Sequence, residues 1–167
     1  MTIKGNILFK ETQHFRSGWL WWMVIFMMLS TIAVIVGVAV SVEQKANESW
    51  ITLAIFIPVE VLVLYFFSIT RLETIISTDG IFYKWWPFQS GYSFVATNDV
   101  KRAYFRKGPF MSYGYHWYFS YGRVNNMAPG KGIQLILMNG RKIFLGTQRL
   151  SAFQTALEKI ITVSQKT

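Results

Sequence analysis

The sequence predicts an α+β membrane protein: a two-helix transmembrane hairpin, then a strongly bent antiparallel β-sheet or barrel of about seven strands, capped by a C-terminal amphipathic helix. Three observations predict it. Two long apolar runs lie within the first 70 of 167 residues, the apolar period then changes from helical to alternating, and the chain closes on an apolar stripe at helical spacing.

The first run, "GWLWWMVIFMMLSTIAVIVGVAVSV" from Gly18 to Val42, carries no charge. As a helix rising about 1.5 Å per residue it is roughly 36 Å long, more than a hydrocarbon core of about 30 Å needs. That length argues against a cleaved signal peptide ending near Ala39-Val40-Ser41, because such an apolar region runs only about 7–15 residues. The second run, "ITLAIFIPVEVLVLYFFSIT" from Ile51 to Thr70, contains Pro58 and Glu60. Only "EQKANESW" separates the two, so they form an antiparallel helical hairpin. Lys4, Lys10 and Arg16 precede the pair and Arg71 follows it, while the connecting loop has one Lys against two Glu. The positive-inside rule therefore places both termini in the cytoplasm, and Trp19, Trp21, Trp22, Trp50 and Tyr65 suit interfacial belts.

Glu60 lies at the middle of its helix and Ser30-Thr31 at the middle of theirs. In an antiparallel hairpin these groups come level, and the sequence predicts a protonated Glu60 bonded to Ser30, to Thr31 or to the carbonyl freed by Pro58. A carboxyl at that depth also admits a functional reading, as part of a transport or proton path. Ala33, Gly37 and Ser41 form a small-residue stripe on which the second helix, or another protomer, approaches closely.

Beyond Arg71 the chain alternates. "LETIISTDGIFYKWWPF" reads as strand, Asp79-Gly80 turn and strand, with Leu72, Thr74 and Ile76 facing one way and Glu73, Ile75 and Ser77 the other. "SFVATNDVKRAYFRKG" holds two further extended pieces around Asn98-Asp99, and "SYGYHWYFSYGRV" is strand-like and aromatic. "GIQLILMNGRKIFLGT" is the clearest hairpin. A three-residue loop, Met138 to Gly140, sets Leu137 opposite Arg141, Leu135 opposite Ile143 and Ile133 opposite Leu145, which collects the aliphatic residues on one face. This requires a type I turn with a left-handed Gly140. The closing helix carries Phe153, Ala156, Leu157, Ile160 and Ile161 on one stripe. "SAFQ" at 151–154 matches a capping box, and Thr147 is an alternative cap one turn earlier.

There is no cysteine, which excludes disulfides and thiolate chemistry. The net charge is +9, and residues 71–167 alone carry 13 Lys and Arg against Glu73, Asp79, Asp99 and Glu158. Asp79 and Asp99 fall in turns, where Asx bonding to the backbone explains them. His116 stands among Tyr115, Trp117 and Tyr118 without an orienting carboxylate in the sequence pattern. The glycines of "GKGIQ" at 130–134 precede a strand and not a helix N-terminus, so they are not read as a phosphate loop. No catalytic residue, cofactor or metal site is expected. What remains is a basic surface, Lys84, Lys101, Arg102, Arg106, Lys107, Arg123, Lys131, Arg141 and Lys142, interleaved with Trp85, Trp86, Tyr104, Phe105 and Trp117. Such a surface suits anionic lipid headgroups or an acidic protein. Nucleic acid is disfavoured, because this half starts directly after a membrane helix.

Together, "RLETIISTDGIFYKWWPF" at 71–88 and "GKGIQLILMNGRKIFLGTQ" at 130–148, after two spanning helices, resemble a small bacterial membrane-protein family with a pleckstrin-homology-like (PH-like) domain behind a helix hairpin. The resemblance implies residues 1–17 as a cytoplasmic segment, 18–70 as the hairpin and 71–167 as a PH-like barrel capped by the last helix. It also implies a bacterial cytoplasmic membrane and a non-enzymatic binding or scaffold module. "YGYHWYF", Tyr113 to Phe119, departs from the Y-G-G-W-G-like run of that pattern and leaves the strand pairing of 89–128 open. The expected function is a membrane-anchored interaction module contacting anionic lipid or an acidic partner. The alternative is a small oligomeric transporter or channel subunit built around Glu60.

Overall fold

A computed structural model of the chain describes residues 5–15, 19–41, 46–109, 113–127 and 130–161; Lys4, Arg16 and residues 43–45 of the polar loop lie outside the described residues. The chain forms two compact units: a helical hairpin, Phe15–Thr70, and a β unit assembled from the residues on either side of it.

In the hairpin unit, α1 (Trp19–Ser41) packs on α2 (Ala46–Ile69). Ile25, Met28, Ile32, Ile35 and Ala39 are among the less exposed positions of α1, spaced by three and four residues. Ser49, Leu53, Glu60, Val63 and Phe67 lie on a matching stripe of α2. That spacing is the seam of two helices packing side by side. The outward faces remain apolar and exposed, including Phe26, Leu29, Val34, Ile55 and Leu62, and both helices are long and apolar enough to cross a membrane. Ala33, Gly37 and Ser41 are exposed, and a Cβ built on Gly37 meets nothing. The small-residue stripe therefore lies outside the seam within this chain.

The expected bond between Glu60 and Ser30 or Thr31 does not form. Ser30 Oγ donates to the Phe26 carbonyl at 2.8 Å and Thr31 Oγ1 to the Met27 carbonyl at 3.0 Å. A helical hydroxyl has its own i−4 carbonyl within reach, which satisfies it without a partner on the other helix. Among the described residues, Glu60 Oε2 has no hydrogen-bond partner.

In the β unit, a strand precedes the hairpin: β1 (Ile7–His14) pairs antiparallel with β2 (Arg71–Ser77), Glu11 opposite Thr74 and Gln13 opposite Leu72. The β unit thus takes in residues upstream of the helices as well as those from 71 onward. β2 continues into β3 (Gly80–Trp86) and β4 (Ser93–Ala96) to give a four-stranded sheet in the order β1-β2-β3-β4. Its turn is one residue earlier than expected. Thr78-Asp79 form the loop, Ser77 pairs with Gly80, and Gly80 adopts φ +154° at a place where a side chain would strike the Val95 carbonyl.

A 3₁₀ turn, Thr97–Asp99, leads into the second sheet: β5 (Val100–Lys107), β6 (Gly114–Tyr118), β7 (Gly122–Asn126), β8 (Lys131–Leu137) and β9 (Lys142–Gly146), in the order β5-β8-β9-β7-β6. All pairings are antiparallel except β7 with β9. The described strands number nine in two sheets that do not close into a barrel, in place of the bent sheet or barrel of about seven strands expected. The difference is two strands: the single aromatic strand expected is split into β6 and β7, and β1 is added upstream.

The β8–β9 hairpin has the expected register: Ile133 opposite Leu145, Leu135 opposite Ile143. Leu137 N–H donates to the Arg141 carbonyl, Gly140 N–H to the Leu137 carbonyl, and Gly140 has φ +79°. The inner faces of both sheets meet through Leu72, Ile76, Ile81, Trp85, Ala103, Ile133, Leu135, Ile143 and Leu145, all buried. Trp85 Nε1 donates to Asn125 Oδ1 at 2.9 Å and Gln13 Nε2 to the Gly146 carbonyl at 2.8 Å, so polar groups also join the sheets.

α3 (Leu150–Glu158) buries Phe153, Ala156 and Leu157 of the predicted stripe, whereas Ile160 and Ile161 lie past its end and are only half-buried; Phe153 meets Phe9 edge-on at 5.2 Å. The Ser151 capping box is not formed, because Ser151 already lies inside the helix and Gln154 Nε2 turns to Glu158 Oε1. Thr147 Oγ1 accepts from Arg149 N–H at 3.1 Å and donates to Glu11 Oε2 at 2.6 Å, while Gln148 N–H donates to Glu11 Oε1 at 2.9 Å.

Candidate functional site

The two sheets divide the predicted basic surface. Lys84 stands on β3 of the four-stranded sheet, away from the strands that bear the other eight cations. Its Nζ donates to the Ser90 carbonyl at 3.1 Å and lies over the rings of Trp86 and Tyr92. Beside it Arg71 Nε approaches Glu73 Oε1 at 2.9 Å, and the Tyr92 hydroxyl donates to Glu73 Oε2. Burial, the hydrogen bond to Glu73 and the negative charge of Glu73 push the Tyr92 hydroxyl up to about 12, against the opposing pull of Arg71. Lys84 is thus part of a satisfied structural cluster.

Lys101, Arg102, Arg106, Lys107, Arg123, Lys131, Arg141 and Lys142 all belong to the five-stranded sheet and its turns. Between Val100 and Leu157 the sequence contains no Asp or Glu. Among the described residues no carboxylate forms an ion pair with any of the eight. Lys107 and Lys131 sit directly opposite one another on β5 and β8, a like-charge pairing that costs stability unless an anion is near.

Arg102 lies opposite Ile136, and Ile136 opposite Lys142, so two cations flank one aliphatic residue on the outer face. Aromatic rings carry several of the guanidiniums: Arg106 stacks 3.7 Å from the Tyr121 centroid, Arg123 lies 5.3 Å from that of Tyr115 and Arg102 5.5 Å from that of Tyr104. Such contacts hold an arginine in place without neutralising it.

The outer face has a small core of its own, which the alternation of "GIQLILMNGRKIFLGT" does not announce. Gln134, Phe144 and Val124 point away from the inner core yet are fully buried. Tyr121, from the β6–β7 turn, folds back over them. Its ring meets Phe144 edge-on at 5.6 Å, its carbonyl accepts from Gln134 Nε2 at 2.9 Å and its hydroxyl donates to the Lys107 carbonyl at 3.1 Å. Gly132 is required beneath Phe144, since a Cβ there falls 2.6 Å from the ring. Gly132 and Gly146 thus serve packing, where a Cβ would strike Phe144 and Asn126, while Gly140 serves the turn.

β6 forms one edge of this sheet, and Tyr115, Trp117, Tyr118 and Phe119 are exposed along it. His116 packs edge-on against Tyr118 at 5.1 Å. Burial holds its imidazole below the ordinary range, opposed by a backbone hydrogen bond with Tyr113. Among the described residues no three His, Asp or Glu side chains come together as a metal site.

These elements define an α+β protein with two helices long and apolar enough to cross a membrane and a β unit whose second sheet is cationic and free of acid. No protein-family model matches the chain, and a search of curated proteins finds no match.

Proposed function

We propose that the chain is an integral protein of the bacterial cytoplasmic membrane whose PH-like β unit, on the cytoplasmic side with both termini, is an anchored interaction module for an acidic surface. One observation carries this reading: a cationic sheet, acid-free from Val100 to Leu157 and without an ion pair to a carboxylate among the described residues, shares a β unit with the strands β1 and β2 that flank a hairpin of spanning length. Only residues 15–18 and residue 70 lie between the strands and the helices. Support for the PH-like assignment comes from two packed, mainly antiparallel sheets and a C-terminal helix seated on Phe9. The pairing of β1 with β2 supports an even number of crossings, since both strands flank the hairpin and share one sheet. The test is capture from mildly solubilised membranes with the full chain. The acidic partner, lipid or protein, is retained by the wild type and lost from Arg102→Glu/Lys142→Glu; equal retention defeats the reading. Reporters fused to each terminus should both register the cytoplasm.

A second reading, an oligomeric transporter or channel subunit, is favoured by the unpartnered Glu60 Oε2 on the interhelical seam and by the exposed Ala33-Gly37-Ser41 stripe. Glu60→Gln then abolishes flux in reconstituted vesicles; unchanged assembly and flux exclude it.

A further inference from the structure

One end of the four-stranded sheet is tied to the helices by the chain itself. Arg71, the first residue of β2, stands two residues beyond Ile69, the last of α2, and Trp86, the last residue of β3, pairs with Arg71. Two chain steps of about 3.8 Å and one antiparallel pair of about 5 Å keep the Trp86 backbone within about 13 Å of the end of α2, whichever way the β unit is turned. The turn that follows is apolar. Gln89 N–H donates to the Trp85 carbonyl at 2.8 Å and Trp85 N–H to Gln89 Oε1 at 3.0 Å, which leaves Trp86, Pro87 and Phe88 at its apex. Trp86 is 39% exposed and Phe88 64%. Arg71 and Lys84 both lie over the Trp86 ring, 5.7 and 5.1 Å from its centroid, so exposed aromatic surface and two cations share this end. The β8–β9 turn is at the far end of the β unit: Thr97 N–H donates to the carbonyl of Asp79 in the β2–β3 loop, and Met138 N–H to the Asp99 carbonyl.

We propose that the Trp86–Phe88 turn is an interfacial anchor: the two rings settle in the headgroup layer of the leaflet at which α2 ends, with the charge of Arg71 and Lys84 beside them. The inference rests on the reading of the chain as an integral membrane protein and adds which residues of its β unit touch lipid. Aromatic side chains, tryptophan above all, favour that layer, where an apolar ring body and a polar edge both find their match. The 24 residues of α2 make a helix about 36 Å long, which outlasts a hydrocarbon core of about 30 Å, so its last turn with the exposed Tyr65 and Phe66 already stands among headgroups. Trp19 and Trp22, exposed at the start of α1, belong to the same end of the hairpin. Trp86 and Phe88 continue this aromatic belt onto the β unit. A soluble partner is the poorer occupant, because so close to the end of a spanning helix it would have to displace headgroups to reach the turn.

The chain has no cysteine, so a single nitroxide label reports one site. The full chain carrying Phe88→Cys, Met138→Cys or Val34→Cys is reconstituted in nanodiscs of phosphatidylcholine mixed with phosphatidylglycerol. All three side chains are exposed, so their replacement leaves the core intact. Collision with oxygen, which concentrates in lipid, and with a polar nickel chelate, which stays in water, is then measured. The expected oxygen-to-chelate ratio is lipid-like at Val34, water-like at Met138 and intermediate at Phe88. Adding Trp86→Ala to the Phe88→Cys chain should move the ratio at 88 towards that at 138; an unchanged ratio removes Trp86 from the anchor. A water-like ratio at 88 with a lipid-like one at 34 overturns the anchor and spares the integral reading. A water-like ratio at 34 overturns both. A label at 88 shielded from oxygen and chelate alike assigns the turn to a protein contact and overturns the lipid assignment.

Discussion

Glu11 and Thr147 are joined by a 2.6 Å hydrogen bond between a strand that precedes both long helices and the segment that starts the last helix. The Glu11 side chain is 5% exposed and also accepts from Gln148 N–H. A remote carboxylate thus fixes the two residues that precede the Arg149 N-cap of α3, at the end where the helix dipole favours negative charge. Glu11→Ala leaves the Thr147 hydroxyl and a backbone N–H without their acceptor. The full chain in detergent should lose about 2 kcal/mol of stability, and denaturant unfolding followed by tryptophan fluorescence measures it. Glu11→Gln should lose less, since an amide oxygen can still accept one of the two bonds.

Removing residues 1–14 has a larger effect, because it uncovers Leu72, Thr74 and Ile76 on β2 and deletes Phe9 from beneath Phe153. A fragment starting at 71 is therefore expected to be aggregation-prone and protease-sensitive, whereas one in which residues 5–14 are fused ahead of 71 by a flexible linker is protected. Limited proteolysis of the two fragments compares them directly.

Gly132→Ala forces a methyl group to within 2.6 Å of the Phe144 ring and 2.3 Å of the Leu145 carbonyl. Overpacking against backbone cannot be relieved by a rotamer change, and the expected loss is about 3 kcal/mol. Gly130→Ala, where a Cβ meets nothing within 4 Å, is the matched control and should be near neutral.

Tyr121→Ala opens the outer face over Gln134 and Phe144 and frees the Arg106 guanidinium. A loss of about 2 kcal/mol is expected from the lost ring packing and cation–π contact. Tyr121→Phe should retain most of that, losing only the bond to the Lys107 carbonyl. Thermal unfolding of the two variants separates the contributions.

Acidification should weaken the β6–β7 hairpin through His116. Its folded-state imidazole titrates below the ordinary range because it is partly buried, so the unfolded chain binds the proton more readily. The stabilising contribution is complete above about pH 6.5, the unfolded imidazole value, and is lost as pH falls through the lower folded value. His116→Gln should flatten the change in melting temperature between about pH 7.5 and 5. An unchanged slope would show that His116 does not couple folding to protons.

The sequence reveals structure where a side chain's chemistry matches its environment. The two helices and the β8–β9 register follow directly from apolar runs, from alternating Ile and Leu and from Asn139-Gly140. β1 stays hidden for the opposite reason: two of its inward positions are Glu11 and Gln13, whose burial depends on Thr147, Gln148 and Gly146 more than 130 residues later. The Ser151 capping pattern misleads because α3 starts at Leu150 with Arg149 as its N-cap, which leaves Ser151 inside the helix. The basic residues are legible as a group, but their division between two sheets depends on pairing, which placed Lys84 in a cluster with Glu73 and Tyr92. Phe119 and Tyr121 are neighbours in one aromatic turn; only the fold sends Tyr121 back over the sheet and leaves Phe119 in solvent.

The position of β1 has a consequence for synthesis. This strand leaves the ribosome first, yet its partner β2 follows only after residues 15–70, the whole helical hairpin, have been made. On the proposed membrane reading, the four-stranded sheet forms only when both helices have crossed. If only one helix crossed, the two strands would be delivered to opposite sides of the bilayer, and their hydrogen bonds could never form. On that reading, folding of the β unit depends on the topology of the helices it is tied to, and a chain in which one helix fails to cross leaves the β2 edge unpaired.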